Sequence, residues 1–455
     1  MLEIIAVKRV FPKEIILASE KVVRSYLWIA GLYTLSASLI WGVNTLFLLD
    51  AGLSIFQVFI ANSVFTGAMS LFEIPTGVLA DTSGRRISFL LSVAVLAVGT
   101  LGYVGVAQYG GGLAWFCIMS VVLGLGYTFY SGAVEAWLVD ALKATNYDGQ
   151  LEHVFSRGGM VTGAMMLVGT VGGGLLGDID LAVPFFVRAV LLSLLFVLAF
   201  FNMRDIGYEP RALKLARIPA EMKILAQASL KYGWNKPELR MLMLAGLIQF
   251  GFSAWGFYAW QPYFLELLGR DAVWVAGVVA ALIAVAMMTG NALVSWLTRF
   301  CGKRTTLLLW AAGTFSAASV GVGLTGSFWV AVGLFVLSML ASGISTPVRQ
   351  AYIHEVIPSD QRATIISLDS MVVSGGSILG QSGLGYLSQV GSIASGYVWG
   401  GLSTVTALPF IWMLRRMGEP ADNIAGKAGK ESACAAQGLP EVSGVNAAAG
   451  QGLVD

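Results

Sequence analysis

The sequence predicts an all-α membrane protein with about twelve transmembrane helices in two pseudo-symmetric six-helix bundles. Three observations predict this class: the apolar composition, the length of the apolar runs, and a partial repeat between the halves of the chain. Of the 455 residues, 56% are hydrophobic and only 12% are charged, and the mean hydropathy is +0.76. Because a soluble core of this size would still need a charged surface, the composition excludes a soluble globular protein.

Apolar runs long enough to cross a bilayer, about 20 residues each, follow one another from residue 26 to residue 417. The predicted spans, numbered 1 to 12, are 26–49, 55–80, 87–108, 113–138, 156–177, 184–203, 240–265, 273–297, 304–324, 327–349, 363–388 and 394–414. Residues 1 to 24 are too mixed to form a cleavable signal peptide. We therefore expect span 1 to act as its own insertion signal.

The long loop after span 6 divides the chain into two parts of six spans each. The predicted segments are a cytoplasmic N-terminal segment (1–25), a first bundle (26–203), a cytoplasmic linker (204–239), a second bundle (240–417) and a disordered cytoplasmic tail (418–455). The tail is rich in alanine and glycine and carries few large apolar groups, which is typical of disorder.

Positive charge predicts the orientation. Every second loop is basic. In the loops of the other face, the only basic residue is Arg270. Because Lys and Arg are retained on the cytoplasmic side, both termini are predicted to be cytoplasmic, in a multi-pass protein of the inner (plasma) membrane. The basic residues are thus explained by topology, and we expect no nucleic-acid partner.

The two halves repeat at equivalent loops. Placing "GVLADTSGRRISF" over "SWLTRFCGKRTTL" pairs Gly84 with Gly302 and Arg86 with Arg304. Likewise "VEAWLVDAL" at the end of span 4 matches "RQAYIHEVI" at the end of span 10. Internal repeats of this kind are typical of transporters.

The segment "EIPTGVLADTSGRR", residues 73–86, is predicted to be the cytoplasmic turn between spans 2 and 3. Gly84 permits a backbone bend that other residues disfavour, while Arg85 and Arg86 anchor the start of span 3. Asp81 can pair with either arginine or lie against the positive end of a neighbouring helix. Such a contact can break and re-form; the simpler alternative is that Asp81 only terminates the helix.

The pattern G-x-L-A-D-x-x-G-R-R resembles the signature loop of the major facilitator superfamily, over about residues 25 to 417. Its residues here are Gly77, Leu79, Ala80, Asp81, Gly84, Arg85 and Arg86. "FEIPTG" and "EAWLVDAL" are similar to bacterial members grouped with drug exporters. The resemblance implies the two-bundle fold and a gate in which Asp81 locks the halves together when the protein opens outward.

The chain departs from this pattern in three places. The second loop copy has Ser295 for the first glycine and Arg299 for the acid, so a single gate latch is expected. Span 4 lacks the deep arginine of proton-driven exporters. In span 5, "GTVGGG" carries Thr170 where those exporters have proline, although its glycines still allow close packing on span 8.

Charged side chains within spans are costly and are therefore functional candidates. The candidates for proton coupling are Glu135, Glu73, Asp369 and Arg349. The resembled fold implies that Glu73 and Asp369 lie across the seam between halves and that Glu135 faces the cavity opposite Arg349, with a salt-bridge gate as the alternative. Arg188 and Asp140 are interpreted as interfacial anchors.

The resembled fold also implies a cavity lined by spans 1, 4, 7 and 10. The substrate-cavity candidates are Tyr33, Trp41, Asn44, Tyr127, Tyr130, Gln249, Trp255 and Tyr258. Aromatic faces with scattered amides suit amphipathic or cationic organic ligands. Trp260 and Gln261 are assigned to the interfacial aromatic belt instead.

Proton-coupled export of a small amphipathic organic compound is the leading hypothesis, and proton-coupled uptake is the alternative. A membrane receptor or an intramembrane enzyme is the rival from another class. His153 and His354 lack a metal-ligand pattern, and the three cysteines lack metal or disulfide spacing. "AGKAGKES" fails as a phosphate-binding loop, because Glu431 follows Lys430. We therefore expect no metal, no cofactor and no catalysis. We also expect a monomer.

Overall fold

A computed structural model describes residues 13–147, 149–208, 233–269, 272–357 and 362–424. The predictions about residues 1–12, about most of the linker, about Arg270 and Cys434, and about the tail beyond residue 424 lie outside the described residues. The segment boundaries at 25, 203, 239 and 417 stay predictions.

The first half contains six spans, of which spans 1 and 4 are each two consecutive helices. Their bounds are Lys13–Ser38 with Asn44–Asp50 (span 1), Ile55–Ser83 (span 2), Arg85–Tyr109 (span 3), Gly112–Tyr130 with Ala133–Ala144 (span 4), Leu151–Ile179 (span 5) and Val183–Asn202 (span 6). The break in span 4 lies at Gly132, whose positive φ of 72° other residues rarely adopt.

The second half repeats this order. Its helices are Pro237–Leu268 (span 7), Val273–Leu297 (span 8), Arg304–Leu324 (span 9), Phe328–Val356 (span 10), Arg362–Val390 (span 11) and Ile393–Val405 with Ala407–Met417 (span 12). A short 3₁₀ turn, Pro420–Asp422, follows span 12.

Ten of the spans are long and apolar enough to cross a membrane, judged by length and composition. The two that fall short are span 1, which is interrupted at residues 39–43, and span 11. Span 11 contains Asp369 and many glycines, serines and glutamines, which lower its hydropathy. Both spans pack against the opposite half of the protein, so other helices cover part of their more polar surface.

The same packing scheme occurs in both halves. Span 1 packs on spans 5 and 6, and span 3 packs on spans 4 and 6. In the second half, span 7 packs on spans 11 and 12, and span 9 packs on spans 10 and 12. The predicted two-bundle, pseudo-symmetric fold is therefore confirmed.

The halves meet along two helix pairs, span 2 with span 11 and span 5 with span 8. A Cβ added to Gly174 of span 5 would lie 2.7 Å from the Cα of Gly277 in span 8, closer than atoms can approach. The expected close packing of the span 5 glycines on span 8 is thus confirmed.

Candidate functional site

The loop between spans 2 and 3 is a compact ionic cluster. Asp81 forms an ion pair with Arg85 at 2.6 Å, and the Nε of Arg85 lies 4.0 Å from Asp140 at the end of span 4. Asp140, interpreted from the sequence as an interfacial anchor, is thus part of this loop's surroundings. We call the end of the molecule that carries residues 81–86 the gate-loop end.

Gly84 and Asp205 fix the turn itself. Gly84 has a φ of 108°, and a side chain there would also collide with the Asp205 carboxylate. That carboxylate accepts a hydrogen bond from the backbone N–H of Arg86 at 2.9 Å and so caps span 3. Arg86 in turn donates to the Phe200 carbonyl at 2.7 Å. Burial raises the pKa of Asp205, against the lowering effect of Arg86.

Sequence reasoning missed Asp205. Its signal was the repeat: Asp422, at the equivalent place after span 12, accepts a 2.8 Å hydrogen bond from the backbone N–H of Thr305 at the start of span 9. Arg304 also pairs with Glu355 at 3.5 Å, as Arg85 approaches Asp140 in the first half. Each half therefore ties its third span to the ends of its fourth and sixth.

The carboxylates of Glu73 and Glu135 are both exposed. Glu73 lies in span 2, one turn before Gly77, which is also exposed and has open space around its Cα. Glu135 lies in the first turn of the second helix of span 4, near Tyr26 and Tyr130. Within the described ranges neither carboxylate has an ion-pair partner.

Asp369 and Arg349 form a buried ion pair within the second half. The Nη1 of Arg349 donates to Asp369 at 2.9 Å and the Nη2 at 2.5 Å, and each residue is 8% exposed. Both Nη groups of Arg349 thus bind a partner in their own half rather than Glu135 of the other half. Asp369, expected across the seam from Glu73, likewise pairs inside its own bundle.

Tyr33, Tyr127 and Tyr130 form one aromatic cluster in the first half. The rings of Tyr33 and Tyr130 stack with centroids 3.6 Å apart, and Tyr127 meets Tyr33 edge-on at 6.3 Å. Tyr33 is buried, whereas Tyr127 and Tyr130 are half-buried. Three predicted cavity residues from spans 1 and 4 are therefore in contact.

Arg188 lies behind this cluster, and its assignment as an interfacial anchor is wrong. The side chain is 1% exposed, and its guanidinium carbon lies 5.8 Å from the centroid of the Tyr127 ring. Among the described residues, Arg188 has neither a carboxylate nor a hydrogen-bond acceptor as partner. Burying an unpaired charge costs several kcal/mol, and a desolvated cation–π contact returns only about 2 kcal/mol.

Gln261 connects the halves, so its assignment to the interfacial belt is also wrong, as is that of Trp260. Both side chains are almost completely buried. The Oε1 of Gln261 accepts from the backbone N–H of Thr45 at 2.9 Å, and its Nε2 donates to the Trp41 carbonyl at 2.8 Å. That carbonyl is available because span 1 is interrupted there.

The remaining predicted cavity residues are dispersed. Asn44 donates to Asn62 at 3.4 Å, and the Tyr258 carbonyl accepts from the hydroxyl of Thr45 at 3.0 Å. Trp255 is fully buried against Tyr397 and Phe59 in the core. Gln249 lines a small cavity of about 30 Å³ between spans 7, 9 and 10, which Arg349 also borders.

In the part of the chain that the structure describes, the hydrogen bonds between the halves lie toward one end of the molecule. Among the described residues, they join Thr45 and Trp41 to span 7, and they join span 2 to span 11 through Phe56, Ser63 and Thr66. All these residues lie in the portion away from the gate-loop end, which we call the opposite end. Glu73 and Gly77, nearer the gate-loop end, are exposed.

No group of three or more His, Cys, Asp or Glu side chains that could hold a metal ion occurs in the part of the chain that the structure describes. Cys117 and Cys301 are both free and half-buried.

The sequence profile of the Major Facilitator Superfamily matches residues 26–300 and again residues 275–449. The chain belongs to this superfamily. It is a multi-pass membrane transporter, and the resemblance of the loop at residues 77–86 is confirmed at the level of the family.

Named relatives of this superfamily member are distant. An uncharacterized MFS-type transporter, YxaM of Bacillus subtilis (strain 168), is 22% identical over 78% of this chain and 86% of its own. The glucose facilitated diffusion protein of Zymomonas mobilis subsp. mobilis (strain ATCC 31821 / ZM4 / CP4) is 30% identical, but over only 30% of this chain and 31% of its own.

Solved structures share the fold of this transporter at low identity. The nucleoside transporter NupG superposes with a TM-score of 0.70 at 11% identity, over 86% of this chain and 98% of its own. A POT family transporter in complex with a thioalcohol conjugated peptide gives 0.66 at 12% identity, over 87% and 96%. These similarities establish the fold alone.

Proposed function

We propose that this transporter works by alternating access and exports a small amphipathic organic compound in exchange for protons. The observation that carries the proposal is the uneven distribution of hydrogen bonds between the halves in the described residues. Hydrogen bonds join the halves at the opposite end, while Glu73 and Gly77, which lie nearer the gate-loop end, are exposed. Such an arrangement corresponds to one of the two states that alternating access requires.

The loop at residues 77–86 serves in this proposal as the gate of the other state. Asp81 here pairs with Arg85 of its own half. An ionic contact of this kind is weak enough to exchange partners when the gate-loop end closes. We assign the protein to the inner membrane, with the gate-loop end and both termini on the cytoplasmic side. The ground for this orientation is the positive charge of alternate loops.

Glu135 is the first proton-coupling candidate, because its carboxylate is exposed next to Tyr130 of the aromatic cluster. Glu73 is the second, since it lies on the same exposed side of span 2 as Gly77. Asp369 and Arg349 are third, because proton binding to Asp369 would have to break a buried ion pair. A carboxylate that alternates between water and a closed interior changes its proton affinity, which couples the proton gradient to solute movement.

Relatives named for glucose, nucleosides and peptides support a small organic substrate. The likeness of "FEIPTG" and "EAWLVDAL" to drug exporters favours export over uptake. Proton-coupled uptake remains the second candidate function, since the same gate and carboxylates would serve it. We propose a monomer, as each half is completed by the other without a second copy.

The test uses purified full-length protein in liposomes that contain a pH-sensitive dye. Candidate solutes that protect the protein against heat are added under an imposed proton gradient. We expect solute-dependent proton movement, which Glu135→Gln abolishes while exchange of labelled solute continues. Glu20→Gln, at an exposed carboxylate of span 1, is the matched control and should behave as wild type.

Opposite results decide between the alternatives. Solute movement in the same direction as the protons would establish uptake instead of export. If Glu135→Gln still drives solute uphill with unaltered pH dependence, the coupling group is another carboxylate, and Glu73→Gln is the next variant. If no solute moves in either direction, the transport proposal fails.

A further inference from the structure

Arg188 is a buried cation that the proposed gate and coupling groups do not use. Of the arginines and lysines in the described residues, only Arg188 and Arg349 are buried, and Arg349 is neutralised by Asp369. Arg188 has no such carboxylate. In the part of the chain that the structure describes, its one cation–π contact is with the ring of Tyr127, and the hydroxyls of Tyr33 and Tyr103 are also near.

A second donor without an acceptor lies near Arg188. Within the described ranges, the Nε of Arg188 and the hydroxyl of Tyr33 are buried and have no hydrogen-bond partner. Tyr33 and Arg188 both approach Tyr127, at 6.3 and 5.8 Å. Buried donors are normally satisfied, so Arg188 and Tyr33 lack an acceptor that the described residues would otherwise provide.

The chemistry of the missing acceptor follows from the donors. A guanidinium presents its N–H groups in a fork that matches the two oxygens of a carboxylate. The phenol hydroxyl of Tyr33 can donate to an anion as well. The half-buried rings of Tyr127 and Tyr130 add a flat apolar wall beside the cation.

We propose that Arg188 binds the anionic group of the transported substrate, and that this substrate is a small, flat organic carboxylate whose body packs on Tyr127 and Tyr130. This inference rests on the proposed transport function and refines its substrate class. It replaces the expectation of a cationic ligand, because a cation beside Arg188 would be repelled.

The probes are benzoate and benzamide, which have nearly the same size but differ in charge. Their binding to the purified full-length protein is measured by isothermal titration calorimetry. We expect wild type to bind benzoate about tenfold or more tightly than benzamide, as a charge-assisted hydrogen bond implies. Arg188→Gln should remove this preference, and Arg188→Lys should retain only part of it.

Arg299→Gln is the matched control, because Arg299 is exposed and its substitution changes the net charge by the same amount. It should keep the full preference for benzoate. Equal binding of both probes by wild type, absence of benzoate binding, or a preference that survives Arg188→Gln would overturn the proposal. If Arg188→Gln does not fold, the wild-type preference and its reduction in Arg188→Lys decide the question.

Failure of this inference is distinguishable from failure of the transport proposal. Benzoate binding that depends on Arg188, in liposomes that move no solute, would uphold the anion site and reject transport. Transport of an uncharged solute by a protein without any preference for benzoate would reject the anion site and uphold transport.

Discussion

The two halves of this transporter each bury one arginine, and they treat it differently. Arg349 in the second half is held by Asp369 through two hydrogen bonds. Arg188 in the first half packs against the ring of Tyr127 and has no carboxylate partner among the described residues. The halves share a packing scheme, so the fold alone does not require either arrangement.

The difference indicates a division of labour. An ion pair that is complete within one bundle can stabilise that bundle and leaves no charge for a ligand. An arginine without a carboxylate weakens the empty protein but gains a partner when an anion binds. The second half therefore has its buried charge neutralised before any ligand arrives, while the first half does not.

The largest effect is expected at the paired arginine. Arg349→Met leaves the Asp369 carboxylate buried without its cation and should lower the free energy of unfolding by about 3–5 kcal/mol. Equilibrium unfolding in mixed micelles measures this change. The double variant Arg349→Met with Asp369→Leu should recover most of the loss, since both charges are then absent. A double variant as unstable as the single one would contradict the assignment of the loss to an unpaired charge.

The unpaired arginine should respond in the opposite direction. Arg188→Met removes a buried charge that has no carboxylate, so the empty protein should become about 2 kcal/mol more stable by the same measurement. The comparison of the two methionine variants is therefore a test of sign. A loss of stability in Arg188→Met would mean that the contact with Tyr127 already compensates the charge.

The contact between the halves gives a smaller effect. Gln261→Leu removes two hydrogen bonds to span 1, which together contribute about 1 kcal/mol, and should shift the population toward separation at the opposite end roughly fivefold. Tyr109 at the end of span 3 and Leu324 at the end of span 9 are both exposed at the opposite end of the molecule. The distance between spin labels at these two residues reports the separation. Gln389→Leu, which removes one exposed 3.4 Å bond to Phe56, should produce a much smaller shift.

The fold was predictable from the sequence because hydrophobic length and the repeated loops are local signals. The interruption of span 1 and the polarity of span 11 did not prevent this, since both were still recognisable as apolar runs. The contacts of Gln261 were not predictable, because its partners Thr45 and Trp41 are more than two hundred residues away. The position of Gln261 near a span end suggested the aromatic belt. In the structure, its side chain points toward the first half and bonds to it.

The environment of Arg188 was missed for a related reason. Position along a span gives depth, but it does not reveal which direction a side chain takes around the helix. Five residues into span 6, an arginine can reach the interface or turn inward, and the aromatic cluster of spans 1 and 4 determines which. Asp369 was correctly singled out as a charged residue, but its pairing with Arg349 depends on how spans 10 and 11 are rotated.

The smallest expected difference concerns the two capping carboxylates. Asp205 accepts one hydrogen bond from the N–H of Arg86, whereas Asp422 accepts two from Thr305 and lies 3.9 Å from Lys303. Loss of a helix cap costs about 1 kcal/mol, so Asp205→Ala should destabilise by about that amount and Asp422→Ala by somewhat more. Equal losses would show that burial of Asp422 offsets its additional contacts.

Asp205 adds a pH dependence that separates its charge from its cap. Because burial raises its pKa above the ordinary value of 3.8, the folded protein binds more protons than the unfolded chain in the interval above that value. Stability from Asp205 should therefore fall as pH rises from about 3.8 through its raised pKa, and stay constant beyond it. Asp205→Asn retains a capping oxygen but cannot ionise. Its free energy of unfolding, relative to that of wild type, should therefore rise with pH across this interval. A difference between the two proteins that is independent of pH from 3.8 upward would mean that the contacts with Arg86 and Arg85 fully compensate the burial of the carboxylate.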